Sequence, residues 1–69
     1  MVNYLIPVRR LNLIDKQLIS YTMNNLKIKR WYITSRYTED NTTYNTITVD
    51  THNPKNILLI EIALSELQI

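Results

Sequence analysis

The residues best suited to chemistry lie in one stretch, KRWYITSRY, at residues 29–37. Guanidinium and ammonium groups contact phosphates, and tyrosine rings stack on unpaired bases. Because side chains alternate between the two faces of a β-strand, Arg30, Tyr32 and Arg36 would share one face. Trp31 would lie on the opposite, apolar face. The stretch therefore predicts a surface that could hold a single-stranded nucleic acid.

The segment TYNTITVD, at residues 43–50, alternates in the same way and predicts the partner strand of a β-hairpin. Tyr44 would join the polar face, among threonines. We therefore expect six nucleic-acid-binding residues: Lys27, Lys29, Arg30, Tyr32, Arg36 and Tyr44. The alternative is an ordinary solvent-facing sheet, since Thr, Tyr and Arg suit exposed strands without any ligand.

Asp50 and His52, in the segment VDTHN, have types and spacing that could serve proton transfer. On a continuous strand they would share a face, and the carboxylate could orient the imidazole as a general base requires. The simpler interpretation is a solvated histidine in a turn before a helix. We adopt that interpretation and expect no catalytic residue and no enzymatic activity.

The composition removes several other chemistries. Without glycine, the chain cannot form a phosphate-cradling loop, a dinucleotide fingerprint or the nucleophile turn of hydrolases. Without cysteine, it has no disulfide, thiolate metal site or thiol nucleophile. One histidine also argues against a zinc site made by the protein alone. We expect no metal and no cofactor.

The elements that position these residues fit a single domain over residues 1–69, because the chain is too short for two cores. VNYLIPV, at residues 2–8, predicts a first strand, and Pro7 either confines that strand to a sheet edge or ends its pairing there. Between the two hairpin strands, EDNT predicts a turn in which Asp40 and Asn41 replace the usual glycine.

NLIDKQLISYTMNN, at residues 12–25, predicts a helix capped by Asn12, with Asp15 favouring its first turn. Asn24 and Asn25 are the expected left-handed residues at its end, since asparagine tolerates that conformation. The apolar residues recur at helical spacing and predict the face that packs inward: Leu11, Ile14, Leu18 and Tyr21.

HNPKNILLIEIALSELQI, at residues 52–69, predicts a second helix, with Asn53 as its cap and Pro54 at its first position. Because NILLIEI is rich in β-branched residues, part of residues 55–69 could instead be a strand.

The order β-α-β-β-α predicts a small two-layer α+β domain, in which two helices cover one face of a three-stranded sheet. This arrangement resembles a ferredoxin-type unit without its last strand. That resemblance implies an unpaired sheet edge, which proteins usually cover or pair.

The second helix predicts a homodimer because it carries two apolar ridges. One ridge can cover the sheet: Ile57, Ile60, Leu64 and Leu67. The other needs a partner to cover it and gives the expected dimer interface: Leu58, Ile62 and Ile69. In the alternative, a monomer packs both ridges against the first helix.

A short, glycine-free chain rich in Ile, Asn, Lys and Tyr suggests a gene from a phage, a virus or a mobile element. No apolar run is long enough to span a membrane, and the first ten residues lack a signal-peptide pattern, so we expect a cytoplasmic location. The net charge of +2 is mild for a nucleic-acid-binding protein. We therefore expect a homodimer that binds nucleic acid through the sheet. The alternative is an inhibitor or regulator that binds a larger host machine through a sheet edge or the spare ridge.

Overall fold

The computed structural model describes residues 3–69, which form a three-stranded antiparallel sheet and two α-helices. The predicted order β-α-β-β-α and the α+β class are confirmed, and Val2 of the predicted first strand lies outside the described residues. The elements are β1 Asn3–Val8, α1 Leu13–Asn25, β2 Trp31–Tyr37, β3 Thr43–Asp50 and α2 Pro54–Ala63, followed by a 3-10 turn, Ser65–Leu67.

The sheet has the strand order β1-β3-β2, so β3 is central and both neighbours are antiparallel to it. Ile47 of β3 lies between Ile6 of β1 and Ile33 of β2, and Trp31 lies opposite Val49. These residues define the inner face, which packs against α1 and α2 around one apolar core. The predicted orientation of Trp31 is confirmed. Pro7 lies on β1, an edge strand of the sheet, as the first alternative expected. The second alternative is wrong, because the pairing with β3 continues past Pro7 to Val8 and Asn45.

The inward face of α1 differs from the predicted one. Ile14 is 74% exposed and Tyr21 is 66% exposed, and Leu18 is also exposed. The residues that α1 buries are Asp15, Ile19, Thr22 and Met23. Leu11, which precedes α1, is buried as expected. The helical period was right, but the other three residues face solvent, and Asp15 and Thr22 lie inward because polar residues can be buried once their hydrogen bonds are satisfied.

Asp15 is satisfied by a two-pronged ion pair with Arg9, whose Nη1 and Nη2 donate to its carboxylate oxygens at 2.7 and 3.0 Å. The backbone N–H of Asn12 also donates to Asp15, while the Asn12 side chain accepts from the Asp15 backbone. This capping box confirms Asn12 as the helix cap. The Arg9 bonds, the Asn12 bond and the Arg9 charge together lower the pKa of Asp15.

The end of α1 corrects a second expectation. The left-handed residue is Lys27, with φ of 58°, rather than Asn24 or Asn25. Ile28 N–H donates to the Met23 carbonyl and Lys27 N–H to the Asn24 carbonyl. Those two bonds form a Schellman cap, in which the residue after the cap must turn left-handed.

The hairpin turn is confirmed, and of the two residues expected to replace glycine, Asn41 has a positive φ of 62° whereas Asp40 does not have a positive φ. Its N–H donates to the carbonyl of Thr38, and Thr38 N–H donates to the carbonyl of Thr42. Asparagine thus supplies the left-handed residue that glycine would supply in most chains.

The segment after His52 forms a helix rather than a strand, and the Asn53 side chain accepts from the Lys55 N–H as predicted. The predicted inner ridge is confirmed as buried: Ile57, Ile60, Leu64 and Leu67. The helix stops at Ala63, and the 3-10 turn brings Leu67 into the core.

The residues after the 3-10 turn lie along β1. Gln68 forms an antiparallel bridge with Val8, and Arg9 N–H donates to the Leu67 carbonyl at 2.7 Å. They occupy the side of β1 where a ferredoxin-type unit has its last strand. The edge predicted to be open is therefore covered at this end.

Candidate nucleic-acid interface

The outer face of the sheet, opposite the helices, carries most of the predicted contact residues. In register across β2 and β3, Tyr32 lies opposite Thr48 and Arg36 lies opposite Tyr44. Tyr32 is 60% exposed, Arg36 is exposed and Tyr44 is partly exposed. Strand alternation and the hairpin register therefore place two tyrosines and a guanidinium on one surface that no helix covers.

The start of β2 forms one of two clusters on this face. Lys29, Arg30 and Tyr32 line a shallow hollow of about 270 Å³. Asp50 lines the same hollow, and its carboxylate lies 3.7 Å from the Arg30 guanidinium. That separation exceeds hydrogen-bond length, and an ion pair at an exposed site contributes little to stability. The Arg30 side chain is 66% exposed.

The second cluster is the cross-strand pair of Arg36 and Tyr44, near the hairpin turn. Tyr32 and Arg36 are four positions apart, which corresponds to about 13 Å along a strand. Thr34 and Thr46, which lie opposite each other, occupy the space between the clusters. Tyr32 and Tyr44 are therefore too far apart to stack on one base, and each would hold a different base.

Lys27 does not belong to this surface. It lies in the loop between α1 and β2 and forms the left-handed cap of the helix. Its place in the chain is explained by the end of α1, without any ligand. The structure brings together five of the six predicted residues and leaves Lys27 apart from them.

Asp50 and His52 are not arranged as a catalytic pair. Asp50 ends β3 and faces Arg30, while His52 is exposed in the bend before α2. Within residues 3–69, no group of three or more His, Cys, Asp or Glu side chains could hold a metal ion.

The helix layer presents a surface that sequence reasoning found only in part. Leu58 and Ile62 are exposed on the solvent side of α2, as expected, and Leu59 joins them. Ile69 lies beyond the end of α2, next to the β1 edge, so it is not part of that ridge.

A groove of about 330 Å³, the helix groove, separates α1 from α2. Its lining is mainly apolar: Leu18, Tyr21, Thr22, Asn25, Leu26, Leu59 and Ala63. Leu18 and Tyr21 belong to the apolar stripe that was expected to pack inward. The helical spacing had located this stripe, but the spacing alone could not show that it faces outward.

Asn45 is a buried polar residue that sequence reasoning missed. Its Oδ1 accepts from the Leu11 N–H at 3.0 Å, and its Nδ2 donates to the Thr34 carbonyl and the Ser35 hydroxyl at 3.4 Å. It thereby ties the segment before α1 to the hairpin. The signal was present, because Asn45 is in phase with Ile47 and so had to lie on the inner face.

Comparison of the chain with protein-family models, with curated proteins and with solved structures finds no match. Neither α1 nor α2, within the described part of the chain, has the length and apolar character needed to cross a bilayer.

Proposed function

We propose that this protein is a homodimer that binds single-stranded nucleic acid through the outer face of its sheet. The observation that carries the proposal is the exposure of Tyr32, Arg36 and Tyr44 together on a helix-free surface. Aromatic rings and cations at that spacing suit a chain of unpaired bases linked by phosphates.

The strength of such binding can be bounded. Base stacking on tyrosine contributes roughly 1–3 kcal/mol per ring, so two rings alone give weak binding. If Lys29, Arg30 and Arg36 each neutralise one phosphate, log K should fall with log salt at a slope of about −2 per chain. A dimer would present two such faces, and simultaneous contact with one strand would raise the overall affinity.

The apolar area on the helix layer supports a second copy as its partner. Six large side chains there are roughly half to three-quarters exposed: Ile14, Leu18, Tyr21, Leu58, Leu59 and Ile62. At roughly 100 Å² of apolar area for each fully exposed side chain, they offer roughly 350 Å². One partner of a standard interface contributes roughly 450 Å² of apolar area. The helix layer thus carries most of what one side of a stable dimer needs.

The charges on α2 also suit a twofold partner. Lys55, Leu58 and Ile62 follow one another on the solvent side of the helix. If two copies of α2 pack antiparallel about a point between Leu58 and Ile62, Lys55 of one copy lies near Glu66 of the other. A twofold axis repeats this pair, so the interface would be apolar at its centre and charge-paired at both ends.

The nucleic-acid function is tested by fluorescence anisotropy. Labelled single-stranded and duplex oligonucleotides are titrated with the protein at several salt concentrations. The protein should bind the single strand preferentially, and this binding should weaken as salt increases. Arg36→Gln should weaken binding and reduce the slope, whereas Gln17→Ala, on α1, should leave both unchanged. Binding that is absent or independent of salt would reject the nucleic-acid function.

The dimer is tested separately by sedimentation. Ile62→Glu should yield a folded monomer, because an unpaired carboxylate cannot be buried at the interface centre. Exchanging charges in Lys55→Glu combined with Glu66→Lys should restore association that either single change weakens. A wild-type chain that sediments as a monomer at high concentration would rule out the dimer.

The second candidate is a protein-binding inhibitor or regulator that uses the helix groove. The exposed apolar stripe of α1 favours it, since exposed apolar patches on small proteins often mark binding sites. Affinity capture that recovers one stoichiometric partner, unchanged by nuclease and abolished by Leu59→Glu, would support this candidate over the first.

A further inference from the structure

A polar cleft lies on the inner face of the sheet, beyond the start of α1, at the hairpin end. We call it the hairpin cleft. Its volume is about 380 Å³, and it is lined by Arg10, Leu11, Lys16, Ser35, Tyr37, Thr43 and Asn45. It lies across the sheet from the outer face, so an inference about it does not depend on the proposed function.

The cleft exists because the inner face changes character along the hairpin. At one end the inward residues of β2 are Trp31 and Ile33, which pack against the core. At the other end the same face carries Ser35 and Tyr37 on β2, and the latter is 70% exposed. The in-phase residues of β3 change in the same way, from apolar near its end to polar near the turn. The core stops where the polar residues begin.

The charges of the cleft are uniform in sign. Arg9 and Arg10 are neighbours in sequence, but Arg9 is committed to the carboxylate of Asp15. Arg10 instead lines the cleft, together with Lys16. No acidic residue is among the described residues that line it. Two cations therefore line a cleft whose other polar side chains carry hydroxyls and an amide.

These groups together match one ligand chemistry. A guanidinium and an ammonium make charge-assisted hydrogen bonds to phosphate oxygens, and hydroxyls can donate to the oxygens that remain. The amide of Asn45 is held in place by its hydrogen bonds to the Leu11 N–H and the Thr34 carbonyl. Preorganised groups of this kind reduce the cost of binding.

We propose that the hairpin cleft is a phosphate-binding site, with Arg10 and Lys16 as its charged contacts and the Ser35, Tyr37 and Thr43 hydroxyls as its neutral donors. The phosphate could belong to a small phosphorylated molecule or to a nucleic acid. Both present the same oxygens to the cleft, and the experiment below separates them.

The primary test is titration of the isotope-labelled full chain with pyrophosphate at constant ionic strength, followed by amide NMR. Saturable shifts should concentrate at Ser35, Tyr37, Thr43 and Asn45. Arg10→Gln and Lys16→Gln should each weaken binding about tenfold, the loss expected for one charge-assisted hydrogen bond. Arg36→Gln removes the same charge from the outer face and should change pyrophosphate binding by less than about twofold.

Two results would overturn the proposal. One is the absence of saturable shifts at the cleft residues. The other is an equal loss from Arg36→Gln and Arg10→Gln, which would indicate attraction by net charge alone. Circular dichroism checks that each variant is folded, and folding should persist because both cleft cations are exposed.

A second titration identifies whether the phosphate belongs to a small molecule or to a nucleic acid. It uses a short oligonucleotide with and without a 5′-phosphate. If Arg10→Gln weakens binding of pyrophosphate but not of either oligonucleotide, the ligand is a small phosphorylated molecule. If it weakens binding of the 5′-phosphorylated strand as well, the cleft holds a strand end. Because Arg36→Gln tests the outer face independently, failure of either proposal can be recognised without the other.

Discussion

The outer sheet face and the helix layer differ in the kind of side chain that each exposes to water. The outer face carries mainly threonines, tyrosines and arginines, which are stable in water on a strand, although Leu5 of β1 is also exposed there. The helix layer exposes Ile14, Leu59 and Ile62, which gain nothing from water. An exposed polar face needs no partner to be stable, whereas an exposed apolar face indicates one. The two surfaces thus suggest two different kinds of contact.

The largest expected effect is a difference in stability between substitutions on the buried side and on the exposed side of α2. Ile60→Ala should cost about 2–5 kcal/mol of unfolding free energy, because Ile60 is fully buried and truncation leaves a cavity. Ile62→Ala should change the stability of the monomer by less than about 0.5 kcal/mol. Urea denaturation at low protein concentration measures both. Equal losses would mean that the helix layer is not an exposed surface.

Exposed tyrosines on the two surfaces give the next comparison. Tyr32→Ala should weaken single-strand binding by roughly 1–3 kcal/mol through lost stacking. Tyr21→Ala removes a similarly exposed ring from the helix layer and should leave that binding unchanged. Anisotropy titrations are compared at concentrations where both variants have the same oligomeric state. A similar loss in both would remove the distinction between the surfaces.

A substitution at Lys27 tests whether this residue caps α1 rather than contacting nucleic acid, as the sequence predicted. Lys27→Gly should stabilise the protein by about 1 kcal/mol, because glycine accepts the left-handed conformation without a steric cost. Nucleic-acid binding should persist, since Lys27 lies off the outer face. Thermal melts and anisotropy measure the two effects. Destabilisation, or a large loss of binding, would contradict the structural role.

The ion pair of Arg9 and Asp15 should make the stability of the protein depend on pH, and Arg10 should not contribute to that dependence. Because the folded-state pKa of Asp15 is lowered, its contribution to stability is complete above the ordinary value of 3.8 and is lost as pH falls through the folded-state pKa. Arg9→Gln should make stability less dependent on pH in this acidic range. Arg10→Gln should leave the profile unchanged. Denaturation at several pH values between 2 and 6 provides the comparison.

The smallest effect is expected at His52. His52→Ala should change neither nucleic-acid binding nor stability measurably, because His52 is exposed in a bend and belongs to neither surface. Binding titrations and melts at neutral pH check this. Loss of a biological activity in this variant would revive the catalytic interpretation of Asp50 and His52.

The hairpin and α2 were predictable because their local signals were strong and agreed with one another. Alternation placed Trp31 and Ile47 inward, and Asn53 with Pro54 set the start of α2. The outer face followed directly, since strand period and hairpin register are local properties. Whether these residues bind nucleic acid remains a prediction.

The face of α1 was not predictable from local signals. Ile14 and Leu18 form an apolar stripe, yet α1 turns Asp15 inward instead. That choice depends on Arg9, which is outside the helix and neutralises the carboxylate. Hydrophobic periodicity assumes that polar groups stay in water, and it fails when a tertiary ion pair satisfies a buried one.

The amino-acid sequence by itself determined the order of the elements, the caps at Asn12 and Asn53, the hairpin, and the residues that share its outer face. These depend on neighbours a few positions apart. The tertiary structure alone decided which side of α1 is buried, which of Arg9 and Arg10 stays available, and where the chain after α2 meets β1. The reason is physical: local periodicity defines the faces of each element, but only packing between elements selects which face leaves water.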